Sequence, residues 1–439
     1  MGARLEENGT KAHVTLWSPS ADQVDIIVYD KNNQDKVLAE HTLSKGPRGT
    51  WQADLLATDF GLENLTGYFY QYRIKRGDQS VIVLDPYAKS LAAWNSDDAS
   101  KGPEHKIAKA AFVDPANYGP KDLDYAKIPN FKSREDAIIY EAHVRDFTSD
   151  KAISAELKHQ FGTFAAFAER LDYLKDLGVT HIQLLPVLSY YFVNELQNGK
   201  RLDAYASSDS NYNWGYDPEN YNVPDRQFAA DQKNPVAPIL ELKKMIQTYH
   251  EAGIGVIMDV VYNHTYSSYS SPFQLSVPAY YYRMHDNGSF QDGSGCGNET
   301  ASEKEMYRKY MIDSLTYWAE EFGVDGFRFD LMGLHDVATM NAIRSAMDDI
   351  APSRGFVNYL MPGQVLNYIE AHDNYNLNDL MHHLHPHDSP EDIEKRIYLA
   401  NALNLSMQGM CFMQLGQEFQ RSKMVATGED GNYTEADVK

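Results

Sequence analysis

Apolar and polar positions fall into two rhythms along the chain. Up to about residue 100, short alternating runs dominate, such as Ala12–Trp17 and Val24–Tyr29. Turn-rich clusters (SPSAD, DKNNQD, KGPRG) separate them, and Tyr68–Ile74 and Val81–Leu84 continue the pattern. Period-two alternation with closely spaced turns predicts an all-β sandwich over residues 1–100. A polar, Pro-containing stretch follows and reads as a linker over 101–134. From Asp136 the pattern changes to short apolar runs alternating with helical periods. Ala137–His143, His181–Pro186, Ile254–Tyr262, Val324–Leu331, Val365–Ala371 and Met410–Leu415 read as buried strands. Thr163–Leu177, Ile239–Ala252, Glu303–Phe322, Val337–Ile350 and Ile393–Met407 read as helices, three of them ending at Gly178, Gly253 and Gly323. Such alternation predicts a parallel α/β domain over residues 135–439, a (β/α) barrel with its polar residues gathered at the strand ends.

Composition narrows the function. Of 439 residues, 43% are hydrophobic and 23% charged, which excludes wholesale disorder. The formal net charge of -22 argues against nucleic acid and anionic membrane as partners. No apolar run is long enough to span a membrane. The opening MGARLEENGTKAHV has no basic-then-apolar signal pattern. Two distant cysteines, Cys296 and Cys411, make neither a disulfide framework nor a Cys-based metal site. Thirty tyrosines suit sugar faces, although most belong to core and interfaces.

Three strand ends and one loop concentrate chemistry. DVVYNH (259–264), DGFRFD (325–330) and EAHDN (370–374) close strands, and YNWGYDP (212–218) lies in a loop. Each brings a carboxylate beside His, Arg or Asn. Paired carboxylates suit glycosidic cleavage, one at the oxocarbenium-like centre and one protonating the leaving oxygen. An Arg beside the first keeps it ionised. Taken singly, an Asp after a strand is more often a turn former, His264 a satisfied structural histidine and Trp214 a core residue. Four such segments in one series weaken those readings, yet periodicity does not separate a glycosidase from an aldolase or an isomerase.

These segments resemble the signature regions of the α-amylase superfamily, glycoside hydrolase family 13. YNWGYDP resembles the mark of type I pullulanases within it, and IIYEAHVRDF, GVTHIQLLPV and GSGCGNE agree. TLWSPSADQVDIIVYD and VLDPYAKSLAAWN resemble the family 48 carbohydrate-binding module of debranching enzymes. The resemblance implies a debranching hydrolase acting with retention on α-1,6 bonds of pullulan, amylopectin, glycogen and limit dextrins. Asp330 would be the nucleophile and Arg328 its charge partner. Asp373 would grip sugar hydroxyls and stabilise the transition state, with His264 and His372 hydrogen-bonding the same sugar. Tyr216 would stack on that ring beside Trp214, with Asp217 tying down the floor of the site. Asp259 and Asn263 would brace the loops, and Asn298 and Glu299 would lie on the rim.

The family also needs a general-acid Glu at the fifth strand end, in a segment resembling GEGW, and none is found. Between Asp330 and Asp373 the sole Glu is Glu370. On a regular strand it would point away from Asp373. The interval from Ser353 to Val365 is too short for the fifth and sixth strands with their helices. After LGQEFQRSKM (415–424) no sequence is left for a last helix and C-terminal β-domain. The expectation is an incomplete barrel, internally deleted near 351–362 and truncated at its end, with unpaired edges, marginal stability and little hydrolysis. The alternatives are a non-catalytic α-glucan binder and another superfamily enzyme, namely isoamylase, branching enzyme or α-amylase. No cofactor is required. Ca²⁺ at Asp286–Asp292 has weaker support than a solvated acidic loop, and DNYNLND (373–379) fails the Ca²⁺-loop spacing. An extracellular or cell-surface location is favoured over a cytoplasmic one.

Overall fold

The computed structural model describes residues 1–102, 105–121, 123–199, 213–350 and 366–423. Two antiparallel sheets form the N-terminal sandwich. One orders Gly2–Glu6, Lys11–Trp17, Thr50–Leu56 and Ser44–Lys45; the other Val37–Thr42, Gln23–Tyr29, Phe69–Arg76 and Gln79–Val83. The alternation read along Lys11–Trp17 is real: Ala12, Val14 and Leu16 face the core and their neighbours do not. The stretch read as a linker is in part sandwich. Ala110–Ala111 pairs with Phe69–Tyr70, and Phe112 stacks on Tyr70 with ring centres 4.4 Å apart. Its apolar residues are too few and too mixed with polar ones to announce a strand by period alone.

The second domain holds one six-stranded parallel sheet. Its strands are β1 (Ile138–Ala142), β2 (His181–Leu184), β3 (Gly255–Val260), β4 (Gly326–Phe329), β5 (Leu366–Asn367) and β6 (Met410–Gln414), in spatial order β4-β3-β2-β1-β6-β5. A closed barrel of this kind has eight strands. Here the outer sides of β4 and β5 have no partner strand among the described residues. This is the incomplete barrel expected from the sequence. Helix Val337–Ile350 follows β4. The proposed deletion point, 351–362, and the last residues from 424 lie outside the described residues.

The open edge leaves its mark on burial. All four residues of β4 are only half-buried, whereas all four of β2 are buried. Helix Pro390–Ser406, between β5 and β6, buries Ile393, Ile397 and Asn404 and exposes Tyr398, Leu399 and Leu403. Away from the open edge, helices Ala237–Glu251 and Glu305–Glu321 each bury a full face. The predicted helix Thr163–Leu177 is instead two short helices, Phe164–Ala168 and Leu171–Asp176. Gly178, Gly253 and Gly323 do follow helix ends in the left-handed region.

The sandwich docks firmly on the barrel. Tyr310 gives its hydroxyl to the Pro86 carbonyl at 2.7 Å, Asn220 its amide to the Asp85 carbonyl at 3.1 Å, and Ser18 its hydroxyl to the Ser276 carbonyl at 2.6 Å.

Candidate active site

Parallel pairing of β3 with β4 sets the centre of the site. Asp259 stands in register with Arg328, and the Asp330 N–H extends the ladder to the Val260 carbonyl at 3.0 Å. Arg328 Nη1 therefore meets Asp259 Oδ2 at 2.8 Å and Asp330 Oδ1 at 3.1 Å. Asn263 Nδ2 donates to the other oxygen, Asp330 Oδ2, at 2.9 Å. Both oxygens of Asp330 thus accept from side chains, while the carboxylate keeps 15% of its surface open. Asp259 is fully buried and also takes the Tyr216 hydroxyl at 2.6 Å. Burial pushes its carboxyl up to about 7, against the pull of Arg328 and Tyr216. Burial also works against the Arg328 charge, but Asp259, Tyr216 and Asp330 outweigh it and hold the guanidinium above its ordinary range.

The aromatic wall depends on a glycine. Gly215 has φ +92°, and a Cβ there would lie 2.9 Å from the Pro186 carbonyl. That turn carries Trp214 and Tyr216 into the site. Asp217 anchors it, accepting from the Phe192 N–H at 2.7 Å and from Asn213 Nδ2 at 2.8 Å. Burial pushes Asp217 up to about 6. Tyr212 lies outside the described residues.

Two neighbours differ from expectation. Asn263, expected as a brace, touches Asp330 directly. His264, expected on the sugar, has both ring nitrogens engaged, with Asn263 Oδ1 at 2.5 Å and the Tyr216 carbonyl at 2.8 Å. Burial holds its pKa below the usual histidine value. In this arrangement it braces the loops.

After β5 the chain delivers Asp373 and His372. Asp373 is 64% exposed and its Oδ2 lies 3.6 Å from His372 Nε2. The His372 ring stacks on Tyr216 at 5.2 Å and meets the edge of Trp214 at 5.3 Å. Lys423 Nζ ties this segment down, donating to the carbonyls of His372 at 2.5 Å and Asn374 at 2.8 Å. The residue after each catalytic candidate is left-handed: Leu331 at φ 44° and Asn374 at φ 63°. Such non-glycine positions cost energy and cluster where side chains must be held in place.

No substitute acid is at hand in Glu370. It lies beyond the end of β5 and is buried, accepting from the Leu377 N–H at 2.8 Å. Burial pushes its carboxyl up to about 7. Asn298 and Glu299, expected on the rim, are also buried. The Asn298 amide closes two bonds with the Thr265 main chain, at 3.0 and 2.9 Å. Glu299 accepts from the Gly293 N–H at 2.6 Å and from Arg283. Both hold the loop together, because amide and carboxylate groups satisfied by neighbouring main chain are drawn inside. Among the described residues no three His, Cys, Asp or Glu side chains form a metal-binding group. None of the helices described is long and apolar enough to cross a membrane.

Sequence reasoning missed Glu141. It is the penultimate residue of β1 and hydrogen-bonds His372 Nδ1 at 2.8 Å. It lies inside the IIYEAHVRDF segment, and only its place next to a strand end hinted at it.

Known proteins resemble this chain along most of its length. Residues 131–288 match the family described as alpha amylase, catalytic domain, and residues 1–88 match carbohydrate-binding module 48, the isoamylase N-terminal domain. Pullulanase A of Streptococcus pneumoniae serotype 2 is 44% identical over 96% of this chain. The chain spans 40% of that relative's length. The alignment runs over 503 positions, so the relative carries residues with no counterpart in this chain. The solved catalytic module of the multi-modular glycogen-degrading pneumococcal virulence factor SpuA, with an inhibitor, is 42% identical with a TM-score of 0.92, covering 99% of this chain and 75% of that one. The Group B Streptococcus pullulanase SAP is 40% identical with a TM-score of 0.91, covering 99% and 66%.

Proposed function

Because the chain belongs to the α-amylase family of glycoside hydrolases, with a module of the family 48 type, we propose that its site is that of a retaining α-glucan debranching hydrolase. Asp330 is the nucleophile, attacking the anomeric carbon to form a covalent glycosyl intermediate. Asp373 binds hydroxyls of the sugar being cleaved, and Tyr216 with Trp214 forms the wall against which that ring lies. The substrates are α-1,6-linked glucans: pullulan, amylopectin, glycogen and limit dextrins. The pullulanase relatives and the glycogen-degrading SpuA support this class, as does a SAP structure solved with maltotetraose. The observation that carries the reading is Asp330, held by Arg328 on one oxygen and Asn263 on the other. No metal is needed for this step. A location outside the cell is part of the same proposal and rests on the name of SpuA as a virulence factor.

The missing acid limits the chemistry. General acid assistance is worth about 10²–10⁴-fold, and Glu370 and Glu141 are both committed to other partners. That observation favours a second reading, in which the chain binds α-glucan and turns it over little. The test is cleavage of pullulan, whose leaving group needs a proton, beside α-maltosyl fluoride, whose leaving group does not, with Asp330→Asn as control. Cleavage of the fluoride alone, lost in the control, is expected. Robust pullulan hydrolysis would refute the missing acid. Cleavage of neither would leave only the binder.

A further inference from the structure

Glu141 is a buried carboxylate that the chemistry above does not use. It is 1% exposed, and its β1 position stands in register with Gln183 of β2 and Gln414 of β6, in the middle of the sheet. A charge this deep is costly unless it is fully hydrogen-bonded. Its donors come chiefly from one residue, 231 positions away in sequence. His372 gives Nδ1 to Oε1 at 2.8 Å and its main-chain N–H to Oε2 at 2.9 Å; Gln183 adds a longer contact at 3.4 Å. The two His372 bonds fix both the backbone and the ring of that residue. The ring plane is then clamped between Tyr216 and Trp214, and Nε2 is turned toward Asp373.

We infer that Glu141 is a positioning residue that keeps the Nδ1 proton on His372 and favours its charged form, so that Nε2 donates to a hydroxyl of the bound sugar beside Asp373. The inference rests on the reading of this cleft as an α-glucan site. Two carboxylates flank the ring, Glu141 hydrogen-bonded at Nδ1 and Asp373 3.6 Å from Nε2, and only the imidazolium presents an N–H to both. Burial opposes that charge, but Glu141 outweighs it, Asp373 and Asp259 add to it, and the net shift of His372 is upward. The other groups against this ring and its backbone include the stacked Tyr216 ring, His143, which follows β1, the Gln414 amide at the His372 N–H, and the Lys423 ammonium on the His372 carbonyl. A raised histidine keeps its proton below its folded pKa and loses it as pH rises through that value.

Imidazole ¹⁵N spectra of the full chain against pH, with maltotetraose titrations over the same range, test this. In the wild type, Nδ1 of His372 is expected to stay protonated throughout, with a midpoint above that of an ordinary histidine. Glu141→Gln is expected to move the midpoint down. Maltotetraose binding should weaken roughly tenfold, the worth of one charge-assisted hydrogen bond, as pH rises through the His372 midpoint. That step should move to lower pH in Glu141→Gln and vanish in His372→Gln. A wild-type midpoint at or below the ordinary value overturns the inference even if the variants fail to fold. So does an unchanged midpoint in Glu141→Gln. A shifted midpoint with pH-independent binding overturns the sugar-facing part. If the wild type does not bind maltotetraose, the glucan reading fails, and the imidazole spectra still decide what Glu141 does to His372.

Discussion

Arg328 Nη1 lies 2.8 Å from Asp259, closer than the 3.1 Å at which it meets Asp330. The fully buried Asp259 is therefore the anchor of the guanidinium, and Asp330 takes its second contact. Removing the guanidinium leaves Asp259 buried beside Tyr216 alone. Arg328→Ala should cost about 1–3 kcal/mol in urea unfolding, less than breaking a wholly buried pair, because Asp259 can take up a proton and Arg328 is itself one-third exposed. Fluoride cleavage should fall to background.

Asp330→Asn separates chemistry from stability. Its two partners are donors, so an amide nitrogen there faces one of them without an acceptor. The expected stability loss is about 1 kcal/mol, while α-maltosyl fluoride turnover disappears. Retained turnover would remove Asp330 from the role of nucleophile.

Gly215→Ala should damage the aromatic wall. A side chain there is strained at φ +92° and meets the Pro186 carbonyl. The expected cost is about 1–3 kcal/mol, with weaker maltotetraose affinity. Equal affinity in calorimetry would show that the turn does not place Tyr216.

Glu370 gives stability a pH dependence. Its folded pKa, pushed up by burial to about 7, lies above the unfolded value near 4.3. The folded state then binds more protons between these values, so stability falls as pH rises from about 4.3 to about 7. Glu370→Gln should flatten that slope, by on the order of 2 kcal/mol between pH 5 and pH 8. Urea midpoints at the two pH values read it directly.

The open barrel should self-associate. Two sheet edges lack partner strands among the described residues, and Leu399 and Leu403 lie one turn apart on an exposed helix face. Leu399→Lys with Leu403→Lys should reduce association in sedimentation velocity with little loss of folding stability.

Local pattern carried much of the architecture. Period-two alternation marked Lys11–Trp17 and apolar runs marked β1 to β6. Gly178, Gly253 and Gly323 marked helix ends, because these features depend on a residue and its near neighbours. The gap between β4 and β5 was legible too, since a strand and its helix need a minimum length of chain. Asp330, Arg328 and Asp259 were placed at strand ends by the same pattern, and the structure sets those ends side by side in a parallel sheet. What stayed hidden depends on partners far along the chain. Glu141 and His372 meet only when β1 lies beside β6 and the segment after β5 folds over it. The exchange between Asn263 and His264 turns on a few ångströms of loop geometry. Asn298 and Glu299 went inside because the Thr265 and Gly293 main chain satisfied them. A polar side chain has the same one-letter code whether it faces water, a sugar or a buried carbonyl. The sequence by itself determined which residue types reach the strand ends; tertiary packing decided which of them hold one another and which remain open to a ligand.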